Sequence, residues 1–316
     1  MMPARKLSLI DRLPPVRGQY RADVALGPRT WFRVGGRADV VFRPADVEDL
    51  AAFFAARPAD VPVTILGVGS NVLIRDDGIE GIVVRLGRNF ADVVVNGEWV
   101  TAGAGALDVS VALSARDAGL TGLEFLRGIP GTIGGGLKVN AGAFGGEFKD
   151  VLVSAEAVDF GGQVHHFTAV DLGLGYRSSR VSEGYVFTRA EFHAAFGDRE
   201  QIDRRMADIT ANRNLSQPVH ARTGGSTFVN PSDPKAGGRK AWQLIEEAGC
   251  RGLKLGGAQV SEQHCNFLVN AGSATAADLE ELGEIVRRRV FDRFGLWLEW
   301  EIYRIGRPAP RRGGGA

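Results

Sequence analysis

Apolar residues along this chain fall into two kinds of run, and their spacing predicts the elements. Short β-rich runs occupy 61–67, 81–86, 92–105, 151–160 and 184–193, bounded by glycine or polar residues, a pattern of many strands joined by tight turns. Helical periods are interspersed. The segment 45–54 starts at an acidic cap, and 107–118 ends against Gly119, which suits the left-handed cap conformation. Ile202, Met206 and Ile209 recur at helical spacing over 202–213, and the polar stretch 214–221 that follows reads as a domain boundary. The first half is therefore mixed rather than all-β.

Beyond that boundary the pattern predicts a helix at 239–248 closed by Gly249, a strand at 266–270 and a long helix at 276–294. The last opens with Thr275 and Asp278 in cap positions and carries Leu279, Leu282, Val286 and Val290 on one side, while Arg287, Arg288 and Arg289 read as a solvated face. The final run, 296–305, alternates as a strand: Leu296, Leu298, Trp300 and Ile302 face one way, and Trp297, Glu299, Glu301 and Tyr303 the other. The tail 306–316 has nothing to pack and is expected to be disordered. No internal repeat is evident.

Composition narrows the class. With 316 residues, 44% of them hydrophobic, the chain can bury two or three globular cores. Its 38 basic residues nearly balance 37 acidic ones, so no excess charge argues for nucleic acid or an anionic membrane surface, and any anion site must be local. The opening 1–18 lacks an apolar targeting region and no later run reaches the roughly 18–20 apolar residues of a membrane span, so a cytoplasmic location is expected. Cys250 and Cys265 have no paired spacing and the five histidines form no ligand set, so reduced packing thiols and no metal site are expected.

Two of the glycine-rich segments carry chemistry: Gly67–Ile74 (GVGSNVLI) and Gly128–Glu147 (GIPGTIGGGLKVNAGAFGGE). Glycines remove the Cβ atoms that would hold a diphosphate away, and several in succession let backbone N–H groups turn toward an anion. The first is not a dinucleotide fingerprint, because Val72 stands where GxGxxG needs its third glycine, and no Gly-Lys pair exists for a phosphate-binding loop of the NTPase type. What remains is a pair of glycine turns gripping one diphosphate.

These segments, with ThrTrpPheArgValGlyGlyArgAlaAsp at 30–39, resemble the flavin-binding module of the UDP-N-acetylenolpyruvoylglucosamine reductases (MurB), and the likeness continues to Ile305. The resemblance implies an α+β fold: a two-part FAD-binding module of the vanillyl-alcohol-oxidase/PCMH type followed by a smaller α+β substrate-binding domain. It implies an extension at 1–28, an FAD domain at 29–205 in subdomains of about 29–87 and 88–205, and a substrate domain at 206–305. Non-covalent FAD would contact Gly67, Gly69, Ser70, Asn71, Gly131, Thr132, Gly134, Gly135, Asn140 and Gly142, with Lys138 a surface charge. NADPH would reduce FAD, which passes hydride to C3 of the enolpyruvyl ether of the UDP-sugar.

Hydride addition at C3 drives charge into the substrate carboxylate, so the chemistry calls for a cation there and a proton donor at C2. By resemblance Arg177, in GlyTyrArgSerSer, holds the carboxylate; Ser226, in GlyGlySerThrPheValAsnPro, gives the proton; and Glu301, in LeuGluTrpGlu, assists Arg177. Without the motifs, Arg177 reads as a surface ion-pair residue, Ser226 as a turn serine and Glu299 as a rim charge. Asn230, Arg251 and His264 are implied substrate contacts, Val229 replaces a lysine that many relatives carry, and Tyr176 packs either on the nucleotide or in the core. The short stretch between Arg177 and Ser226 leaves no room for the extra tyrosine-bearing loop of one subclass, so the chain resembles the shorter one. A flavin-dependent alcohol or sugar oxidase of the same fold is the alternative, although no cysteine precedes Cys250 and the first histidine is His165, which excludes a covalent flavin link in the glycine segments. The partners implied are the UDP-sugar and NADPH, with the chain a monomer or weak homo-oligomer in peptidoglycan precursor synthesis.

Overall fold

The computed structural model describes residues 8–181 and 183–307. Two compact units appear: the first comprises the described part of Met1–Ala22 with Val40–Gly67 and Gly81–Arg213, and the second Asp23–Asp39, Val68–Glu80 and the described part of Asn214–Ala316.

In the first unit, the runs at 92–105, 151–160 and 184–193 become strands of a five-stranded antiparallel sheet, ordered Val164–Thr168, Leu152–Asp159, Tyr185–His193, Trp99–Gly103, Val93–Asn96. The core around it holds Val100, Ala102, Ala157, Phe187 and Phe192, with Val111, Ile133 and Phe148 contributed by short helices. A four-stranded sheet runs Gln19–Ala25, Arg37–Arg43, Ile79–Val84, Val63–Ile65, of which residues 19–22, 40–43, 81–84 and 63–65 lie in this unit. Its helix Val47–Ala56 starts where Asp46 accepts a hydrogen bond from the Asp49 N–H, and buries Leu50, Phe53 and Phe54 against Val40, Phe42 and Ile82. The helix Arg199–Ser216 buries Ile202, Met206 and Ile209 as predicted but runs three residues further, stopping short of Pro218, whose ring disfavours helix in the residue before it.

In the second unit, the helix Ala276–Phe294 has the predicted ends. Thr275 and Asp278 form a capping box, Gly295 closes it at φ 66°, and Leu279, Leu282, Val286 and Val290 are buried. Beside it lie the helix Ala241–Glu247 and a three-stranded antiparallel sheet of Lys254–Leu255, Ala258–Val260 and Leu268–Asn270. Both cysteines are free and buried in this core.

Three expectations are corrected. The run 296–305 is a regular strand only at Tyr303–Ile305; its alternation survives in the burial of Leu296, Leu298 and Ile302, but the backbone of 296–302 pairs with the short segment 227–229, through the Phe228–Trp300 bridge and bonds from Val229 N–H to Glu299 O and Glu301 N–H to Thr227 O. Nor are all three arginines of 287–289 solvated. Arg287 donates to Leu298 O (2.7 Å), pairs with Glu284 and lies over Trp297, whereas Arg288 and Arg289 are exposed. Gly306 and Arg307, the start of the expected disordered tail, are held: Gly306 O accepts from Arg75 (3.2 Å), Arg307 Nη2 donates to both carboxylate oxygens of Asp39 (2.9 and 3.0 Å), and 308–316 lie outside the described residues.

Gly283 separates packing from helix propensity. A Cβ there would lie 2.1 Å from Trp300. Propensity alone predicts that Gly283→Ala stabilises a helix interior by about 1 kcal/mol, whereas overpacking costs about 1–3 kcal/mol. We expect net destabilisation in urea unfolding; a stabilised variant would mean that Trp300 yields freely.

Candidate functional site

Within the first unit the end of one glycine segment faces the other. A Cβ at Gly67 would stand 3.2 Å from Thr132 Oγ1, and one at Gly135 3.7 Å from the same atom; Gly134 sits where a Cβ would come within 3.0 Å of Ala104 Cβ. Gly67, Thr132 and Gly135 thus frame bare backbone around one hydroxyl, with Thr132 extended at the start of the helix Ile133–Val139.

Asp108, which motif reading missed, lies beneath Gly131. It opens the helix Asp108–Asp117, its N–H donates to Gly131 O (3.2 Å), and a Cβ on Gly131 would be 2.7 Å from its Oδ2. Its carboxyl is fully buried and neither oxygen has a hydrogen-bond partner, so desolvation raises its pKa well above the usual carboxylate range. The only sequence signal is an acid at a helix start, which cannot be told from an ordinary capping or first-turn residue. A carboxyl whose pKa is raised is less readily ionised, which weakens its repulsion of an anion. Bare backbone, a hydroxyl and a buried carboxyl of raised pKa fit the diphosphate of a flavin nucleotide.

The same unit joins this segment to the GlyTyrArgSerSer motif. Asn140, left-handed at φ 45°, donates from Nδ2 to Glu147 (2.7 Å) and to Gly175 O (3.0 Å), and its Oδ1 accepts from Lys149 N–H (3.0 Å). Arg177 is also left-handed, at φ 51°, a conformation non-glycine residues adopt at a cost that recurs at functional sites, and its Nη1 reaches toward Gly142 O (3.5 Å). Glu147 was not among the residues read from sequence, yet its acidity is increased by bonds from Lys149 and Asn140 and by the charge of Arg177. Tyr176 does not pack in the core: it is 61% exposed, with the Arg177 guanidinium 5.5 Å from its ring centre. Lys138 is exposed.

The second unit brings together the rest. Val72–Ile74 pairs in parallel with Tyr303–Ile305, so Asn71 Nδ2 donates to Glu301 O (3.2 Å) and Tyr303 N–H to Asn71 O (3.2 Å). Glu301 N–H donates to Thr227 O (2.8 Å), which sets Asn71, Glu301 and the Ser226–Thr227 backbone side by side. Gly69 (φ 71°) returns its carbonyl to Trp31 N–H (3.0 Å), leaving Ser70 between two held residues. Ser226 is half-buried and follows Gly224, where a Cβ would strike Phe32, and left-handed Gly225. Burial and the Glu301 charge raise the Tyr303 pKa.

The implied substrate contacts Asn230, Arg251 and His264 each have local partners. Asn230 Oδ1 accepts from Ala241 N–H (3.0 Å) at the start of a helix, and Arg251 pairs with Glu246 (2.8 Å) and donates to Glu262 O. His264 Nδ1 accepts from Asn266 N–H (3.2 Å), its ring packs on Phe267, and desolvation lowers its pKa, keeping it neutral. Among the described residues no group of His, Cys, Asp and Glu could hold a metal ion, and no helix is long and apolar enough to cross a membrane.

Fold and glycine framework define an FAD-binding flavoprotein. An FAD binding domain matches residues 38–168, and the chain superimposes with a TM-score of 0.52 at 11% identity on 6-hydroxy-D-nicotine oxidase from Arthrobacter nicotinovorans, over 92% of this chain and 89% of that one, a likeness of fold alone. The C-terminal domain of UDP-N-acetylenolpyruvoylglucosamine reductase matches residues 217–305. The chain is 57% identical to the UDP-N-acetylenolpyruvoylglucosamine reductase of Parvibaculum lavamentivorans over 95% of each chain, and 57% identical to that of Rhodospirillum rubrum over 94% of this chain and 93% of the other. The crystal structure of UDP-N-acetylenolpyruvylglucosamine reductase (MurB) from Thermus caldophilus matches with a TM-score of 0.78 at 36% identity, over 92% of this chain and 99% of that one. This chain belongs to the UDP-N-acetylenolpyruvoylglucosamine reductase family.

Two outcomes test the buried framework. Gly131→Val places a side chain against Asp108 and should abolish FAD retention, read as flavin absorbance of the purified protein; undiminished FAD affinity would remove this segment from the cofactor site. As pH rises past the usual carboxylate range, unfolded chains ionise Asp108 while the folded protein keeps its proton, so this group costs the fold stability with rising pH. The stability of Asp108→Asn relative to the parent should therefore increase from pH 4 to pH 7 in thermal unfolding. A pH-independent difference would mean that Asp108 ionises in the folded protein.

Proposed function

We propose that this chain uses NADPH and non-covalently bound FAD to reduce the enolpyruvyl group of UDP-N-acetylenolpyruvoylglucosamine to UDP-N-acetylmuramate, in peptidoglycan precursor synthesis. The observation that carries this reading is 57% identity over 95% of both chains with a reductase of that name. The oxidase alternative has only a likeness of fold. FAD, when bound, takes hydride from NADPH and supplies it to C3 of the substrate.

The protein's own residues do the rest. We assign FAD contacts to Gly67, Gly69, Ser70, Asn71, Gly131, Thr132, Gly134, Gly135, Asn140 and Gly142, and 29–205 and 206–305 to the cofactor and substrate domains. The bare backbone about Thr132 and the buried Asp108 of raised pKa support the cofactor assignment. Arg177 holds the substrate carboxylate: a guanidinium pairs with a carboxylate through two parallel bonds and stays cationic as electron density accumulates. Ser226 delivers a proton to C2. Glu301, tied to Asn71 and Thr227 through its backbone, carries its carboxylate on an anchored segment and assists charge stabilisation. With Tyr176 exposed, a role on the nucleotide is the better supported of its two readings. We place the chain in the cytoplasm as a monomer or weak homo-oligomer.

Ser226→Ala separates the half-reactions. NADPH should bleach the flavin bands at the parental rate under anaerobic conditions, while reoxidation by the enolpyruvyl substrate slows about 10²–10⁴-fold, the scale of one lost proton donor. Full turnover in the variant would remove Ser226 from that role, and flavin that only oxygen can reoxidise would favour the oxidase.

A further inference from the structure

A cleft of about 810 Å³ in the second unit is lined by Arg29, Trp31, Arg33, Val219, His220 and Arg222 among others, with no acidic residue in its wall. All three arginines are exposed, and none makes an ion pair among the described residues, although many other arginines of this chain do. In a protein of net charge +1, three uncompensated guanidinium groups around one cleft form a local field of one sign. Two of them are fixed locally. Arg33 is left-handed at φ 59° and donates to Pro28 O, and the Arg222 backbone bridges to Asn270. Trp31, held by its N–H bond to Gly69 O, adds a half-buried aromatic wall.

We infer that this cleft binds the adenosine 2′-phosphate end of NADPH, with the arginines on the phosphate monoester and Trp31 against adenine. The inference rests on the reductase reading above. A monoester is close to dianionic at neutral pH and offers three acceptor oxygens to arginine forks, whereas the diphosphates of FAD and of the UDP-sugar carry one charge per phosphate and suit backbone N–H groups. Arginine is the residue that accommodates a 2′-phosphate where NADP is preferred over NAD. No nicotinamide-nucleotide fingerprint occurs in the sequence, so discrimination must come from side chains brought together by the fold.

The test is calorimetric titration of the FAD-loaded protein with adenosine 2′,5′-bisphosphate and with 5′-AMP, which lacks the 2′-phosphate. The parent should bind the bisphosphate about tenfold or more tightly than 5′-AMP, the scale of one charge-assisted contact, and R29Q/R33Q/R222Q should lose that preference. R29Q/R222Q, which leaves the left-handed Arg33 in place, should lose most of it, with circular dichroism reporting the fold. In flavin reduction these variants should raise KM for NADPH and leave KM for NADH unchanged. Equal binding of the two probes by the parent, or an undiminished preference in R29Q/R222Q, overturns the inference. So does a variant that loses only FAD or only UDP-sugar affinity, since the cleft would then serve those phosphates. If NADPH and NADH reduce the flavin equally well and the enolpyruvyl substrate reoxidises it, the inference fails while the reductase reading stands; if neither nucleotide reduces it, the reading itself fails.

Discussion

The second unit depends on one pairing, the parallel match of Val72–Ile74 with Tyr303–Ile305. It closes a loop of some 230 residues, and such closure carries an entropic cost that grows slowly with length and must be offset by the contacts it allows. Those contacts are visible. Arg75 is bidentate to Glu280 (2.9 Å twice), Arg304 reaches Glu280 (3.2 Å) and Glu284 (3.1 Å), and Trp300 Nε1 donates to Glu284 (2.8 Å) beneath the Arg304 guanidinium. The bond from Arg75, with the charges of both arginines, lowers the Glu280 pKa, so the network is formed at neutral pH. Without this register Asn71 would not meet Glu301, and neither would be aligned with the Ser226–Thr227 backbone.

The first unit solves a different problem, holding glycine-rich backbone still without side chains to pack. Asn140 does much of this. Its left-handed backbone ends the helix Ile133–Val139, and its amide ties that end to Glu147, Lys149 and Gly175. The segment bearing Arg177 is thereby fastened to the segment bearing Thr132, and the left-handed φ of Arg177 is sustained by its surroundings rather than by its own preference. Asp108 completes the arrangement from below as a buried group whose raised pKa comes from desolvation and not from a partner.

Much of the fold was legible in the sequence because it rests on local rules. The helix Ala276–Phe294 could be read to the residue, since its capping box, apolar stripe and terminal glycine all lie within its own span. The helix Arg199–Ser216 was read short because its buried apolar stripe is confined to Ile202, Met206 and Ile209, and Leu215 in its last turn is exposed. The run 296–305 looked like a strand, and its alternation is real, but ladder formation needs a partner of matching length and 227–229 is too short to provide one.

What the sequence determined by itself was the identity of the chemistry-bearing motifs and the family they belong to, because motif spacing is written along the chain. The tertiary structure alone decided which motifs share a unit: Asn71 with Glu301 and the Ser226 segment, Thr132 with Gly67, and Arg177 with Gly142. It also decided the states of individual groups, the raised pKa of Asp108 and the lowered one of His264, the exposed Tyr176, and Arg251 paired with Glu246. Solvation and electrostatic neighbours set those states, and neither is a property of a residue's place in sequence until the chain has folded.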